Sequence, residues 1–179
     1  NEVKIEGEKS SNVHFAIDFL TGIQKRNLGN KNAQYINVED KKVVVIGGGD
    51  TAMDCVRTSV REGATSVKCL YRRDEANMPG SKKEVVNAKE EGVEFVFNVS
   101  PKSIKVENDL AVGVELLETS MSKSDTSGRQ KVVLIEGSEY LEDADVIILA
   151  LGFSPEVPSF LKELNVETNS WGGIVVDSN

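Results

Sequence analysis

The chain has 179 residues, of which 39% are hydrophobic and 28% are charged, and its formal net charge is −8. This length and composition predict one globular domain with a full hydrophobic core. The acidic balance argues against nucleic acid or an anionic membrane as the main partner, because both attract an excess of Lys and Arg. No apolar run approaches the roughly 20 residues that a membrane helix needs.

The cysteines and the first residue indicate the setting of the chain. Cys55 and Cys69 are too few and too far apart for a disulfide scaffold or an iron–sulfur site, so we expect both to stay reduced in a cytoplasmic setting. The chain begins with Asn1 rather than Met and shows no secretory leader. We therefore interpret it as a piece of a longer protein.

The first half of the sequence predicts alternating strands and helices. Residues 13–28 have the apolar spacing of a helix, and the polar residues 31–40 that follow form a connector. Further along, the predicted elements are strand 42–46, helix 50–61, strand 66–71, helix 82–91 and strand 93–98. This β-α-β-α-β order implies right-handed crossovers and a parallel sheet.

The pattern changes in the second half. An antiparallel three-stranded meander is predicted at 102–106, 110–118 and 131–136. Its first connection is a tight turn at Asn108 and Asp109, and the Ser-, Lys- and Asp-rich residues 121–130 predict an exposed, mobile loop. The whole is a three-layer α/β fold, in which a Rossmann-like parallel sheet carries this meander.

The last part of the sequence is expected to complete the sheet. The strongly apolar residues 145–151 predict a strand that returns to the parallel sheet, and Pro155 and Pro158 end it. Residues 160–164 predict a short helix, and residues 173–177 a final strand.

A glycine turn joins the first predicted parallel strand to its helix. Residues 47–52 match G-x-G-x-x-A: the first glycine allows the tight turn, the second lets a pyrophosphate approach the backbone, and the alanine lets the helix pack on the strand. The amides and the positive end of the helix dipole then face the phosphates. The residues predicted to bind a dinucleotide here are Gly47, Gly48, Gly49, Asp50, Thr51 and Ala52.

A glycine turn can also serve packing alone, and the short pattern by itself is a weak signal. The strand before it, the helix after it and the complete β-α-β unit around it favour dinucleotide binding. We expect Asp50 near the helix cap, with its carboxylate directed toward a ribose or a nicotinamide edge rather than a phosphate.

Two arginines stand at the end of the second predicted parallel strand. A binder of the non-phosphorylated cofactor usually carries Asp or Glu there to hold the ribose 2′-hydroxyl. Arg72 and Arg73 can instead hold a 2′-phosphate through paired, charged hydrogen bonds. We therefore predict NADP(H) over NAD(H), with a solvated basic loop as the alternative; Asp74 leaves a contact with a ribose hydroxyl open.

Other candidate residues are weaker. His14, the only histidine, is expected on the surface near the start of a helix, and Lys82 and Lys83 at a solvated helix end. Gly152 ends an apolar strand, where a cofactor or a neighbouring domain could come close. The sequence shows no metal-ligand cluster, no nucleophile with an adjacent base and no paired-carboxylate signature.

Several longer motifs together resemble one known family. They are VVVIGGGDTAMD at 43–54, YRRDEANMPGSKKE at 71–84, DVIILALGF at 145–153 and AIDFL within 14–20. These resemble the NADPH-binding domain of the glutamate synthase small (β) subunit and the related domain of dihydropyrimidine dehydrogenase. The resemblance covers most of the chain.

The resemblance implies a division of labour. In that family the NADPH domain is inserted into an FAD domain, hydride passes from NADPH to flavin, and electrons continue to iron–sulfur clusters and a large catalytic subunit. It implies that 47–52 hold the pyrophosphate, that Arg72 and Arg73 hold the 2′-phosphate, and that Gly152 lies near the return toward the FAD domain. The implied parts are a connection from the FAD-binding part (1–37), the NADPH-binding domain (38–152) and a return segment (153–179).

The sequence departs from the whole family protein. It has no second glycine fingerprint for FAD and no N-terminal cysteine clusters, and it stops before the Gly-Asp motif that completes the flavin site. We therefore expect an excised domain of a two-dinucleotide-binding-domain flavoprotein, which binds NADPH but turns over poorly. Two alternatives remain open: a self-contained S-adenosylmethionine-dependent enzyme of methyltransferase type, and a non-catalytic assembly domain.

Overall fold

The computed structural model describes residues 5–123, 130–152 and 156–176. The chain divides into two compact units: a main unit of residues 3–151, and a terminal unit of residues 152–179 with residues 1 and 2. All of the predicted site residues except Gly152 lie in the main unit.

The main unit alternates strands and helices in its first half and is built of strands in its second. In chain order its elements are β1 (Val13–Phe15), α1 (Ala16–Asn27), β2 (Lys42–Ile46), α2 (Asp50–Arg61), β3 (Ser66–Tyr71), a 3₁₀ turn (Glu75–Asn77), α3 (Lys82–Glu90), β4 (Glu94–Phe97), β5 (Val99–Glu107), β6 (Leu110–Met121), β7 (Val132–Leu134), β8 (Tyr140–Asp143) and β9 (Val146–Leu149).

Five parallel strands form the central sheet, in the order β1-β9-β2-β3-β4. Four consecutive residues of β2, from Val43 to Ile46, are buried, as expected for a strand covered on both faces. The return of the 145–151 segment to this sheet is confirmed, since β9 pairs in parallel with β2 on one side and β1 on the other.

The second sheet is antiparallel and packs on one face of the parallel sheet. β5 and β6 form a long hairpin, and its predicted turn is confirmed because Asn108 and Asp109 have φ of 49° and 64°. Beyond the hairpin, β6 pairs with β8 through Gly113–Leu116 and with β7 through Thr119–Met121. The predicted three-stranded meander is therefore wrong in number, since this sheet has four strands.

The fold has three layers, as predicted. Helices α1, α2 and α3 cover one face of the parallel sheet, where Val43 and Val45 join their core. Val44 and Ile46 face the opposite way and pack with residues of the antiparallel sheet. Arg57 on α2 donates a hydrogen bond to Glu91 at 2.7 Å and so holds the end of α3 beside α2.

Several predicted boundaries were wrong. The predicted helix 13–28 begins only at Ala16, because Val13–Phe15 pairs with β9 as strand β1 and leaves His14 half-buried. The strand predicted at 102–106 begins at Val99, and β7 is shorter than the predicted 131–136. Of the predicted loop 121–130, Met121 ends β6, and residues 124–129 lie outside the described residues.

The terminal unit contains helix α4 (Ser159–Glu163), which confirms the short helix predicted nearby. The final strand predicted at 173–177 does not form among the described residues, where Ile174 makes only an isolated bridge with Thr168; residue 177 lies outside them. The assignment of 1–37, 38–152 and 153–179 to FAD-linked and NADPH-binding parts stays a prediction. None of the described helices is both long and apolar enough to cross a bilayer.

Candidate nucleotide-binding site

The glycine turn lies where β2 ends, between the ends of its neighbours β3 and β9. The Gly47 amide donates to the Leu70 carbonyl oxygen at 3.1 Å. Gly47 has φ of +151°, and a Cβ on it would lie 2.2 Å from the Ala150 carbonyl oxygen. Only glycine fits this position, because both the backbone conformation and the neighbouring strand exclude a side chain.

The next two glycines differ in what surrounds them. A Cβ on Gly48 would lie 2.4 Å from Cδ2 of Tyr71, so the absence of a side chain lets the tyrosine ring pack on the turn. Around Gly49 there is open space, since no described atom lies within 4 Å of its Cβ position. The open side of the turn at Gly49 is where a ligand can approach the backbone.

Backbone amides at the start of α2 are free to bind an anion. Gly49 is the N-cap, and its carbonyl accepts from the amides of Ala52 and Met53 at 2.9 and 3.2 Å. Within the described residues, the amides of residues 48–51 have no acceptor. Unpaired amides at the positive end of a helix dipole favour phosphate.

Thr51 and Ala52 have separate positions in this first turn. Thr51 is half-buried. Ala52 is fully buried in the core between α2 and the sheet, which confirms the close packing predicted from its small size.

Asp50 connects the glycine turn to the loop before α3. Its Oδ1 accepts a hydrogen bond from the Ser81 amide at 2.8 Å, and the Gly80 amide donates to the Gly48 carbonyl at 2.9 Å. One oxygen of the carboxylate is therefore used within the protein, and the expected direction of Asp50 toward a ribose or a nicotinamide edge stays a prediction.

Arg72 and Arg73 begin the loop that follows β3, called here the arginine loop (residues 72–77). Arg72 is exposed and Arg73 is half-buried, and neither forms an ion pair with a described carboxylate. The Arg73 Nε is buried without an acceptor among the described residues. Among the described residues, neither guanidinium group at this end of the strand next to β2 is therefore neutralised by a carboxylate.

The far part of the arginine loop is held by its own side chains. Asp74 Oδ1 accepts from the amide of Asn77 at 2.9 Å and from its side-chain nitrogen at 2.8 Å. The Tyr71 hydroxyl donates to the Asn77 carbonyl at 2.8 Å. Burial raises the pKa of Tyr71, while the charges of Arg73 and Arg72 act in the opposite direction. Asp74 therefore caps the 3₁₀ turn with one carboxylate oxygen, and its contact with a ribose hydroxyl stays open.

A buried thiol supports the turn from below. Cys69 Sγ donates to the Gly47 carbonyl oxygen at 3.3 Å. Burial raises the pKa of Cys69 to about 12 and that of Cys55, also buried and unpaired, to about 12. Both thiols are protonated at neutral pH, in line with the core role predicted for them.

The remaining predicted candidates are Gly152, His14, Lys82 and Lys83. Gly152 has φ of +90° with no described atom within 4 Å of its Cβ position, and it is the first residue of the terminal unit. His14 lies in β1 opposite Ile148, and burial lowers its pKa. Lys82 and Lys83 are exposed in the first turn of α3, as predicted.

Sequence reasoning missed the residues that hold the loops around the turn. The spacing of Asp74 and Asn77 is a local capping signal from which the 3₁₀ turn could have been predicted. The ring of Tyr71 on Gly48 and the approach of Gly80 to the turn have no such signal, because each depends on how separate strands and loops meet.

A family assignment rests on the whole chain. The sequence model of the pyridine nucleotide-disulphide oxidoreductases matches residues 1–179. The chain belongs to the pyridine nucleotide-disulphide oxidoreductase family. The chain that carries the parallel sheet, the glycine turn and the antiparallel sheet described above is thus a member of a known family.

Curated relatives in this family have high identity to the chain. It is 47% identical over 175 residues to the "Glutamate synthase [NADPH] small chain" of Escherichia coli, covering 96% of this chain and 37% of that protein. It is 45% identical over 177 residues to the "Putative oxidoreductase AegA" of the same organism, covering 97% and 27%. The chain thus spans 37% of the length of the first of these relatives and 27% of the second.

Solved structures of other proteins share the fold. Thioredoxin reductase from T. acidophilum aligns over 99% of this chain and 49% of its own with a TM-score of 0.67 and 19% identity. Mycobacterium tuberculosis FprA, solved with NADPH, aligns over 89% and 49% with a TM-score of 0.70 and 16% identity. The predicted three-layer α/β fold, in which a Rossmann-like parallel sheet carries an antiparallel sheet, is confirmed.

Proposed function

We propose that this chain is the NADPH-binding part of a flavin-dependent oxidoreductase of the glutamate synthase small-subunit type. The observation that carries the proposal is the pairing of two anion-binding features. Free amides surround the open Gly49, and two arginines without a described carboxylate partner follow the neighbouring strand β3. Since adjacent strands lie about 4.8 Å apart, one dinucleotide can span both features.

Each feature fits one part of NADPH. The pyrophosphate binds the amides of residues 48–51, where the dipole of α2 adds a favourable field. The 2′-phosphate binds Arg72 and Arg73, each charged hydrogen bond contributing about 1.5–3 kcal/mol before screening by solvent. This division explains why an acid, which an S-adenosylmethionine or NAD(H) site would favour, is replaced by arginine at the end of β3.

The hydride acceptor belongs to another part of the protein. The sequence contains one glycine turn of the dinucleotide type, and that turn is assigned to NADPH, so no residue of this chain is assigned to FAD. When bound, the flavin would accept the hydride. This chain holds NADPH in a fixed orientation toward it, which is a contribution of positioning.

The relatives extend the proposal to a whole protein. By analogy with the small chain of glutamate synthase, electrons would continue from FAD to iron–sulfur clusters and then to a large glutamate synthase subunit, in the cytoplasm. Gly152 would lie near the return of the chain toward the FAD-binding part. The chain also resembles a putative oxidoreductase. The competing proposal is therefore that the final electron acceptor is not the large glutamate synthase subunit.

Calorimetric titration of the chain with NADPH and NADH tests the binding proposal. Wild type should prefer NADPH, and Arg72→Ala should raise the Kd for NADPH by about tenfold, which corresponds to about 1.4 kcal/mol. The Kd for NADH, which has no 2′-phosphate, should change by less than about twofold, because the loss of an exposed charge by itself has a small effect.

Lys41→Ala is the matched control, because it also removes one positive charge but lies just before β2, at the end of the strand opposite the glycine turn. It should leave both affinities unchanged. Equal affinity of wild type for NADPH and NADH would contradict the 2′-phosphate assignment. Saturable binding of S-adenosylmethionine would favour the methyltransferase-type enzyme instead. If the chain bound no nucleotide, the non-catalytic assembly domain would be favoured.

A further inference from the structure

We propose that Thr119 on β6 is a specificity-determining residue for the 2′-phosphate, acting as a positioning residue for the arginine pair. It would do so by fixing the backbone from which the two guanidinium groups extend. This inference rests on the proposed binding of the 2′-phosphate by Arg72 and Arg73. It assigns to the antiparallel sheet a part in cofactor selection.

The contact joins residues far apart in sequence. The Thr119 hydroxyl donates to the Arg72 carbonyl oxygen at 2.9 Å, across a separation of 47 residues. Thr119 is 6% exposed and is one of two buried polar residues among the described part of the chain. A buried hydroxyl is retained where it has a specific partner, because burying it unpaired is costly.

A second connection holds the neighbouring arginine. The Thr119 amide donates to the Asn98 carbonyl at 2.7 Å, and the Asn98 amide donates to the Arg73 carbonyl at 3.1 Å. Asn98 has φ of 57°, a left-handed conformation that asparagine tolerates better than most residues. It links β4 to β5, so the chain leaves the parallel sheet at the point where it holds Arg73.

Through these contacts the Arg72 carbonyl is held by Thr119 in the antiparallel sheet, and the Arg73 carbonyl is held by Asn98, to which Thr119 also bonds. Arg72 and Arg73 lie just beyond the paired part of β3, whose last pair with β4 is Tyr71 with Phe97. The β3–β4 ladder therefore does not hold the backbone of the two arginines. That backbone is held by Thr119 and Asn98 instead. Binding a phosphate costs conformational entropy, because the arginines must become ordered. A backbone that is already fixed lowers this cost, since only the side chains then remain to be ordered.

The effect should be confined to the 2′-phosphate. Thr119 bonds to the arginine loop and not to the glycine turn, so the amides of residues 48–51 keep their positions when the hydroxyl is removed. Binding of the pyrophosphate is therefore retained, while the advantage of a 2′-phosphate is reduced. A general loss of folding would instead weaken the binding of every nucleotide equally.

The experiment compares 2′,5′-ADP with 5′-AMP, which differ only in the 2′-phosphate, by calorimetric titration of the full chain. Thr119→Val, which keeps the shape but lacks the hydroxyl, should raise the Kd for 2′,5′-ADP threefold to tenfold and leave that for 5′-AMP within twofold. Thr119→Ser, which keeps the hydroxyl, should restore wild-type preference. Ser120→Val, at an exposed position of the same strand, is the control for substitution in β6.

The outcomes separate the two proposals. If an Arg72→Ala, Arg73→Ala double variant keeps the preference for 2′,5′-ADP, the proposed function fails and this inference fails with it. If the double variant loses the preference but Thr119→Val keeps it, only the role of Thr119 is overturned. Should Thr119→Val fail to fold by circular dichroism, Thr119→Ala removes the same hydroxyl, and an unchanged preference in that variant would equally overturn the inference.

Discussion

The ring of Tyr71 packs against Gly48 so closely that a Cβ on the glycine would stand 2.4 Å from Cδ2 of the ring. The tyrosine hydroxyl also bonds to the Asn77 carbonyl at 2.8 Å. One side chain therefore connects the glycine turn with the arginine loop. The two features proposed to bind the pyrophosphate and the 2′-phosphate of NADPH are joined by this contact.

The adjacent glycines should respond differently to the same substitution. Gly48→Ala forces the ring of Tyr71 to move, so we expect a loss of about 1–3 kcal/mol in the free energy of unfolding, as for other overpacked sites. Gly49→Ala adds a methyl group in open space, so stability should change by less than about 1 kcal/mol. NADPH should nevertheless bind Gly49→Ala at least about tenfold more weakly.

Urea denaturation and calorimetric titration of the two variants provide the measurements. If Gly49→Ala bound NADPH as tightly as wild type, the pyrophosphate would not approach the turn from its open side.

Asp50→Asn should change stability and affinity in opposite directions. The amide oxygen can still accept the hydrogen bond from Ser81, but the negative charge at the positive end of α2 is lost, which costs about 0.3–1 kcal/mol of stability. Removing a carboxylate near the phosphates relieves about 1 kcal/mol of repulsion, so NADPH should bind about fivefold more tightly. Thermal unfolding and titration at low and high salt check both effects, and weaker binding by Asp50→Asn would indicate that the carboxylate contacts the ligand favourably.

His14 should make the protein less stable in mild acid. Its pKa in the folded state is lowered from 6.5, mainly by burial and against the opposing charge of Asp18. The unfolded chain then binds a proton more readily than the folded one, so stability is complete above pH 6.5 and falls as the pH drops through the folded pKa. His14→Asn should lose this dependence between about pH 7.5 and 5.5, where carboxylates titrate little.

The single histidine allows a direct check, because its imidazole signal can be followed by NMR without assignment. If the imidazole signal of the folded protein titrated with a midpoint at or above pH 6.5, this would contradict the lowered pKa. The thermal midpoints of wild type and His14→Asn should converge at the alkaline end of the series.

The two cysteines should resist alkylation in the native protein. With pKa values of about 12, both buried thiols carry almost no thiolate at pH 8. Iodoacetamide at pH 8 should label neither residue until denaturant is added, and then both, as measured by intact mass. Rapid labelling of native Cys69 would show that the thiol beneath Gly47 opens to solvent.

Local sequence patterns were sufficient for the strand–turn–helix around Gly47 and for most of the central sheet. Strand β2 is a run of apolar residues, the glycines mark the turn, and the stripe on α2 repeats at helical spacing. In each case the information lies within about a dozen neighbouring residues. The Asn108 and Asp109 turn is equally local, because the left-handed conformation is set by the residue type itself.

The short strands could not be predicted in this way. β1 has three residues, and its pairing partner in β9 lies 134 positions away, as Val13 opposite Ile147 shows. β8 reads Tyr-Leu-Glu-Asp, with exposed positions and little apolar content. Their hydrogen bonds are supplied by partners distant in the chain, so neither segment has a pattern of its own that would favour a strand.

By itself, the order of residues determined the parallel sheet, the glycine turn and the presence of two cations at the end of β3, because backbone preference and apolar spacing act over short distances. The position of those cations was decided only by the tertiary structure, since Arg72 is held by Thr119 and Arg73 by Asn98. Hydrogen bonds between remote segments form once the two sheets have packed, and that packing sets where the guanidinium groups begin.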